Sequence, residues 1–519
     1  LENIRDNSDI CFGILFHNPQ FDQIKLRTLF MKFLSALPIL TFCLSVFPAG
    51  IRSQSADPLK SDALLNLDGQ YDHYKKIALQ IWEFAELGYK EQKSSALLQQ
   101  TLTAAGFRVE AGVAEIPTAF VATFGAGKPV IGILAEFDAL PGLSQQTDPV
   151  KNPRAGTEAG HGCGHHLFGT ASVAAAIALK NLMTKNKIPG TLKLYGTPAE
   201  EGGSGKVYMV RAGLFEGTDV VLHWHPSDKN SANAATSLAN LSAKFRFHGI
   251  SAHASGTPER GRSALDGVES MNYMVNMMRE HIPSDARIHY IITDGGKAPN
   301  VVPDFAEVYY YVRHPNPETV KTLFERVVKC ADGAATGTET KMDYEIIGGV
   351  YNLLPNITLA KAMHQNLSRV GGVSYSQADL EFAKKLRESF GNSKSEIAEA
   401  GQVEPFRTGD RSGGSTDVAD VSWVVPTVGL RTGTWVPGTP AHSWQAVACG
   451  GMDIGVKGML VAAKTLTLTG IDLLTDPALL QTATLEFQQA RGAGFRYEPL
   501  LGDRKPALNY RDNPGQPTD

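Results

Sequence analysis

The sequence predicts an α/β protein with a smaller α+β domain inserted into it, and three observations carry that prediction. Nearly continuous apolar strands alternate with helical segments on both sides of the middle of the chain. Wetter, strictly alternating strands are confined to one block, residues 237–350. The polar residues able to do chemistry gather where the apolar strands end, which is where open α/β sheets build sites.

With 519 residues, 43% hydrophobic and 20% charged, the chain has an ordinary globular composition and length for two or three domains. Its formal net charge is -4 at pH 7, and no basic block interleaved with aromatics occurs, which argues against a nucleic-acid partner.

Residues 1–56 read as a leader. Met31-Lys32 opens an apolar run from Phe33 to Phe47, and small polar residues follow at Ser53-Gln54-Ser55-Ala56. This predicts a secretory signal over 31–55, hence export to a periplasmic or extracellular location, with residues 1–30 preceding the true start. The run is short and broken by Pro38, so no stable membrane span is expected. A buried apolar helix is the other reading. Beyond the leader only Cys163, Cys330 and Cys449 remain, too widely spaced for a disulfide framework.

The first segment of the main domain is expected over 62–236 and the second over 351–480. Helical spacing runs from Gln70 to Ala105 and stops at Gly106. "PVIGILAEFDALPG" (129–142) reads as a buried strand, followed by an alanine-rich helix in "LFGTASVAAAIALKNLM" and further strands in "GTLKLYGTPAEEGG" and "TDVVLHWHP". In the insertion, 237–350, about four alternating strands and two helices predict a ferredoxin-like unit. Residues 376–415 read as a surface helix and loop. The extension 481–519 is poor in apolar residues and is expected to wrap the surface or fray.

The motif "GHGCGHH" sets Cys163 and His165 one glycine apart, a spacing that can serve one metal only through a tight turn. A buried thiol beside a capping histidine is the structural alternative. "GTPAEEGG" sets Glu200 beside Glu201 at a strand end. Two adjacent carboxylates repel and are costly to desolvate, so they suit a site where one ligates and the other acts as general base, or else a solvated acidic turn. His223 and His225 share one face of an extended segment, and only one need be a ligand. Asp138 ends the first strand, and His442 lies in "PAHSW".

In order, "AEFDALPGLSQ", "GHGCGHHLFGT", "GTPAEEGGSGK", "VVLHWHPS", "GISAHASGTPERGRSALDG", "GGKAPNVVPDFAEVYYYVR", "GSTDVADVSWVVPT" and "AHSW" resemble the zinc- or manganese-dependent aminoacylase and carboxypeptidase metallohydrolases. The likeness covers roughly residues 65–510 and is greatest to the branch that hydrolyses N-acyl amino acids, within it to the group that cleaves p-aminobenzoyl-glutamate. The resemblance implies a mixed-sheet, zinc-exopeptidase-like catalytic domain carrying an inserted lid and dimerisation domain, and a homodimer formed through that lid. It implies that Cys163, His165, Glu201, His223 and His442 hold two divalent ions, Mn2+ or Zn2+, with His225 in reserve for His223. Glu200 would be the general base, and Asp138 would orient a ligand histidine. From the lid, His253 would polarise the scissile carbonyl of a small amide substrate, while Asn300 and Arg313 would contact the intermediate and the substrate carboxylate.

Two positions depart from the common pattern. His166 stands where many relatives are acidic, and Glu136-Phe137-Asp138 replaces the His-x-Asp of the peptidase branches. A dipeptidase or N-acetyl-amino-acid deacetylase would use the same centre, and a catalytically inactive binding protein could keep the fold. The intact Glu200-Glu201 pair speaks against the last, since a scaffold has no need of a base.

Overall fold

The computed structural model describes residues 56–391 and 393–512, so the expected signal segment 31–55 lies outside the described residues. The strands are β1 (Arg108–Ala111), β2 (Phe120–Ala126), β3 (Val130–Ala135), β4 (Gly190–Gly196), β5 (Val220–Ser227), β6 (Ala234–Thr236), β7 (Ala239–His248), β8 (Arg287–Asp294), β9 (Phe305–His314), β10 (Lys341–Val350), β11 (Thr408–Arg411) and β12 (Thr427–Gly433).

The main sheet is mixed, with order β1-β2-β4-β3-β5-β12. β4, β3, β5 and β12 run parallel, while β2 and β1 form an antiparallel edge. Every residue of β3 is buried, as the continuous apolar run requires. Helices His165–Asn186 and Asp453–Thr475 pack against these strands and against each other. Both are apolar on nearly all sides, which is why neither shows the one-sided pattern of a surface helix.

The single helix expected from Gln70 to Ala105 is two helices, Tyr71–Phe84 and Gln92–Ala104. Ala85 takes a left-handed conformation at φ 44°, and Glu86 turns its carboxylate onto the backbone N–H groups of Lys93 and Ser94. The break has a tertiary cause: the backbone at Gly88 lies so close to Ala199 that a Cβ would come 2.9 Å from its side chain. Helical periodicity cannot register such a contact. A further helix, Ala56–Gly69, begins before the expected domain boundary at 62 and buries Leu59, Ala63 and Leu67 in the main core.

The inserted unit is an antiparallel sheet of order β10-β7-β9-β8 backed by helices Ala264–Met278 and Pro317–Thr338. β9 alternates strictly, with Ala306, Val308, Tyr310 and Val312 buried and their neighbours partly exposed, so one face of the sheet carries the core. The helices start where local chemistry dictates. Ser263 accepts from the Asp266 backbone N–H and Asn316 from that of Thr319, with Pro317 opening the second helix.

Candidate metal centre

Three of the parallel strands deliver polar residues to one place. β3 leads into Glu136 and Asp138, β4 into Glu200 and Glu201, and β5 carries His225 near its end. Gly164 supplies the tight turn between Cys163 and His165: its φ is 78°, and a Cβ there would come 2.7 Å from the Pro226 side chain. Only glycine meets both conditions. His165 then opens the long central helix, and His442 approaches from the loop after β12 with its own φ at 56°.

Asp138 Oδ1 lies 2.9 Å from His165 Nδ1, and Asp138 Oδ2 accepts from the Glu201 backbone N–H at 2.9 Å. His225 Nδ1 faces the Pro226 carbonyl at 2.7 Å, which turns its Nε2 toward Cys163 Sγ at 3.3 Å. His442 Nε2 lies 3.2 Å from Glu201 Oε1. Donor atoms of Cys163, His165 and His225 lie within 4.8 Å of one another, as do those of Cys163, Glu201 and His442, and those of His165, Glu200 and Glu201. Cys163, His165 and Glu201 each belong to two of these sets, an overlap suited to a pair of neighbouring cations.

The state of the donor atoms fits a cation as well as their positions do. Glu136 Oε2, His165 Nε2 and Glu201 Oε1 are buried and make no well-directed hydrogen bond. They stand in ion-pair contact instead, Glu136 Oε2 with His165 Nε2 at 3.1 Å and Glu201 Oε1 with His442 Nε2 at 3.2 Å, an incomplete pairing that a bound cation would complete. Burial raises the Cys163 thiol, and burial followed by the Glu136 and Glu201 charges raises the Glu200 carboxyl. Burial would also raise Asp138, but the adjacent His165 imidazole outweighs it and holds the carboxyl at about 2. For His165 burial pulls downward, yet Cys163, Asp138 and Glu136 together lift its pKa.

His223, chosen above as a ligand, stands outside these donor sets, and His225 takes its place. The two share a face, but His225 lies two residues, about 6–7 Å, further toward the strand end where the site lies. The His223 ring sits over Gly429 of β12, where a Cβ would come 2.3 Å from it, and burial lowers its pKa to about 3. His166, whose role was open, is fully buried with Nε2 3.0 Å from the Gly450 carbonyl, a structural position beneath the turn.

The lid residues form a separate group. His253 is exposed, its Nδ1 accepting from the Gly256 backbone N–H at 3.0 Å, and the Asn300 carbonyl accepts from the Ala254 N–H at 3.0 Å. Arg313 is partly buried beside Tyr311, and its Nε makes no hydrogen bond. Among the described residues no hydrogen bond or ion pair ties His253, Asn300 or Arg313 to the Cys163 cluster.

Sequence reasoning missed the support behind the centre. Lys206 is fully buried, with Nζ 2.7 Å from Glu136 Oε1 and 2.7 Å from Asp417 Oδ1, and the other oxygen of Glu136 lies 3.1 Å from His165 Nε2. Burial alone would lower the lysine pKa, but Asp417 and Glu136 raise it, so it stays charged. The available signal was a lysine opening the otherwise apolar run "KVYMV", a weak cue to buried partners.

Comparison with known proteins decides the family. A peptidase dimerisation domain family matches residues 238–338, the block of the inserted lid. The chain is 42% identical over 450 residues to a subunit of the p-aminobenzoyl-glutamate hydrolase of Escherichia coli (strain K12), covering 82% of this chain and 93% of that protein. The chain belongs to the M20 metallopeptidase family. It is also 30% identical to the Xaa-Arg dipeptidase of Mus musculus, over 83% of this chain and 92% of that one. The M20 fold is shared with a dinuclear metal-binding M20 peptidase from Bacillus subtilis at TM-score 0.55 and 16% identity, covering 78% of this chain and 99% of the other. This M20 chain is therefore an amidohydrolase or peptidase by family, with the mixed catalytic sheet and the four-stranded dimerisation domain of its relatives.

Proposed function

We propose that this chain hydrolyses the amide bond of an N-acyl or N-aroyl amino acid, p-aminobenzoyl-glutamate foremost, at a centre of two divalent ions, Mn2+ or Zn2+. The observation that carries the reading is the Glu200-Glu201 turn. Glu201 shares donor sets with Cys163, His165 and His442, while Glu200 belongs only to the set with His165 and Glu201. The relative's action on p-aminobenzoyl-glutamate supports the choice of substrate.

Cys163, His165, Glu201, His225 and His442 would hold the ions, the thiol and imidazoles suiting zinc and the Glu201 carboxylate suiting manganese. Bound there, the ions would supply Lewis-acid polarisation of the scissile carbonyl and of the attacking water. Glu200 takes a proton from the water at its carboxylate and returns it to the leaving nitrogen. Burial and the neighbouring Glu136 and Glu201 charges raise its pKa, which favours uptake of that proton. Asp138 fixes the His165 ring by accepting from Nδ1–H, which turns Nε2 toward the cluster, where Glu136 Oε2 lies 3.1 Å away. His253 and Asn300 donate hydrogen bonds to the carbonyl oxygen as it gains charge, and Arg313 pairs with a substrate carboxylate.

Because His253 is not joined to the cluster of its own chain, the assignment includes a homodimer in which the lid serves the neighbouring site. Among the described residues β8 is a free edge of the lid sheet, with Ile291 63% and Ile292 44% exposed, beside Tyr273 64% and Met277 56% exposed on the adjacent helix. Apolar side chains along an unpaired edge support strand-to-strand pairing of two copies.

A second reading, a dipeptidase, is favoured by the likeness to the Xaa-Arg dipeptidase. The test strips metal from the protein, restores Mn2+ or Zn2+, and follows p-aminobenzoate release from p-aminobenzoyl-glutamate alongside cleavage of Xaa-Arg dipeptides. Metal-dependent release of p-aminobenzoate is expected. Metal-dependent cleavage of the dipeptides alone would replace the first substrate by the second.

A further inference from the structure

Among the described residues the C-terminal tail, 500–512, is held in place rather than frayed. It runs as a strap from the base of the lid to the back of the metal centre. Leu500 packs in the lid core and against Gly349 of β10, while Leu501 packs in the main core. Arg504 donates to the Ile347 carbonyl and pairs with Glu345, both on β10. Arg211 donates to the carbonyls of Gly502 and Arg504 at 2.9 and 2.8 Å. The chain then turns over Ala507–Asp512 and seats the Tyr510 ring edge-on against Tyr89, with centroids 5.6 Å apart. Gly88 makes room for it, since a Cβ there would come 2.3 Å from Tyr510 Oη. Lys90 closes the seat on Asp512 at 3.1 Å.

The strap ends on a single acceptor. Tyr510 Oη donates to the Glu201 carbonyl at 2.9 Å, and Arg511 Nη2 donates to the same oxygen. The other backbone group of Glu201, its N–H, is held by Asp138. The turn so pinned is under stress. Ala199, just before it, sits at φ 57°, and Gly202 N–H bonds back to the Glu200 carbonyl at 2.7 Å. Glu200 and Glu201 also set two carboxyl groups side by side. A strained turn carrying two adjacent carboxyl groups needs restraint from both sides to keep its side chains in one place.

We infer that Tyr510 and Arg511 are positioning residues for the Glu200-Glu201 turn, so that the C-terminal tail sets both the affinity of the centre for divalent ions and the placement of the base. This rests on the functional reading above. The side chains need not touch substrate or ion, because they act on the backbone of Glu201.

The test uses the full chain with Tyr510→Phe, Arg511→Ala and the double substitution. Affinity for Mn2+ and Zn2+ is measured by chelator competition, kcat and KM on p-aminobenzoyl-glutamate, and thermal unfolding on metal-free protein. Removing the restraint is expected to weaken metal binding about tenfold or more, in the range seen for groups that orient ligands, and to lower kcat while KM holds. Arg511→Lys, which keeps a charged donor, should recover most of the loss. Should the double variant fail to fold, the single substitutions carry the same test. Metal affinity and kcat within about twofold of the unsubstituted chain would overturn the inference, that being too small for a ligand-orienting group. So would activity lost only in proportion to the unfolded fraction. Metal affinity is read without substrate, so an unsubstituted chain that binds metal but cleaves nothing would overturn the substrate reading and leave this test intact.

Discussion

Asp138 joins His165 to Glu201: one carboxylate oxygen meets the imidazole Nδ1 at 2.9 Å, and the other accepts from the Glu201 backbone N–H at 2.9 Å. A residue at the end of β3 thus sets the mutual position of donors from the central helix and from the turn after β4. Asp138→Asn keeps the shape but offers only one oxygen for the two donors. Metal affinity should fall about 10- to 100-fold, measured by chelator competition. An unchanged affinity would show that the ring and the turn hold their places without this bridge.

Glu200→Gln separates catalysis from binding. The amide cannot take a proton from water, so kcat should drop by about 10^2 to 10^4, the usual worth of a general base. Metal content, read by elemental analysis, should stay at the level of the unsubstituted chain. If the E200Q protein turned over normally, the base would have to be sought elsewhere in the cluster.

Lys206 is the buried counter-charge of Glu136 and Asp417, and its removal leaves two carboxylates facing each other without a cation. Lys206→Met should cost about 3–5 kcal/mol of stability in the metal-free protein, as breaking a buried pair by deleting one partner does. Urea unfolding reads the loss. Adding Asp417→Asn to Lys206→Met should recover part of it, because the two changes act on one network.

How much of this was legible in the sequence follows from the range of each signal. β3, β4 and β5 were readable because a strand buried on both faces leaves a continuous apolar run, and Asp138, Glu200 and Glu201 stood out at their ends. The alternation of β9 marked the lid for the same local reason. Lys206, Glu136 and Asp417 form a contact across 281 residues of chain between Glu136 and Asp417 (417 minus 136), and no pattern within a window reports it. The choice between His223 and His225 turned on reach toward the strand end, which two-residue periodicity leaves equal. The break at Ala85 and the seat of Tyr510 depend on Gly88, whose neighbours come from Ala199 and from the last residues of the described chain. Low apolar content in the tail left its path open between wrapping the surface and fraying, and the described part is held by Leu500 and Leu501 in the two cores as well as by hydrogen bonds and ion pairs.

The proposed dimer makes a prediction about shared sites. If His253 serves the partner, a mixture of Glu200→Gln and His253→Ala chains, each nearly inactive alone, should regain activity after exchange of subunits. Random pairing gives one dimer in two as a hybrid, and each hybrid then carries one site with both residues intact. Ile291→Lys at the free edge of β8 should shift the protein to monomer in light scattering and remove that recovery. Recovery absent in mixtures shown to contain hybrids would place His253 in its own subunit's site.

Asp379 links stability to pH through partners that are not metal donors. It caps helix Gln377–Arg387 by accepting from the Ser376 N–H and hydroxyl, and it pairs with Lys457 on helix Asp453–Thr475. Burial would raise its carboxyl, but Lys457 and Ser376 outweigh that and hold it below the ordinary 3.8. A folded pKa below the unfolded one means that the stabilisation is complete above the unfolded value and is lost as pH falls through the folded one. Asp379→Asn should therefore lower unfolding free energy by about 2 kcal/mol at pH 7, the scale of a charged hydrogen bond. The gap between the two proteins should hold down to about pH 5 and shrink as pH falls below the unfolded pKa, where the native carboxyl also takes up its proton. Urea midpoints of both proteins across that range decide it: a gap that persisted undiminished in acid would assign the loss to packing at the helix start rather than to the charge.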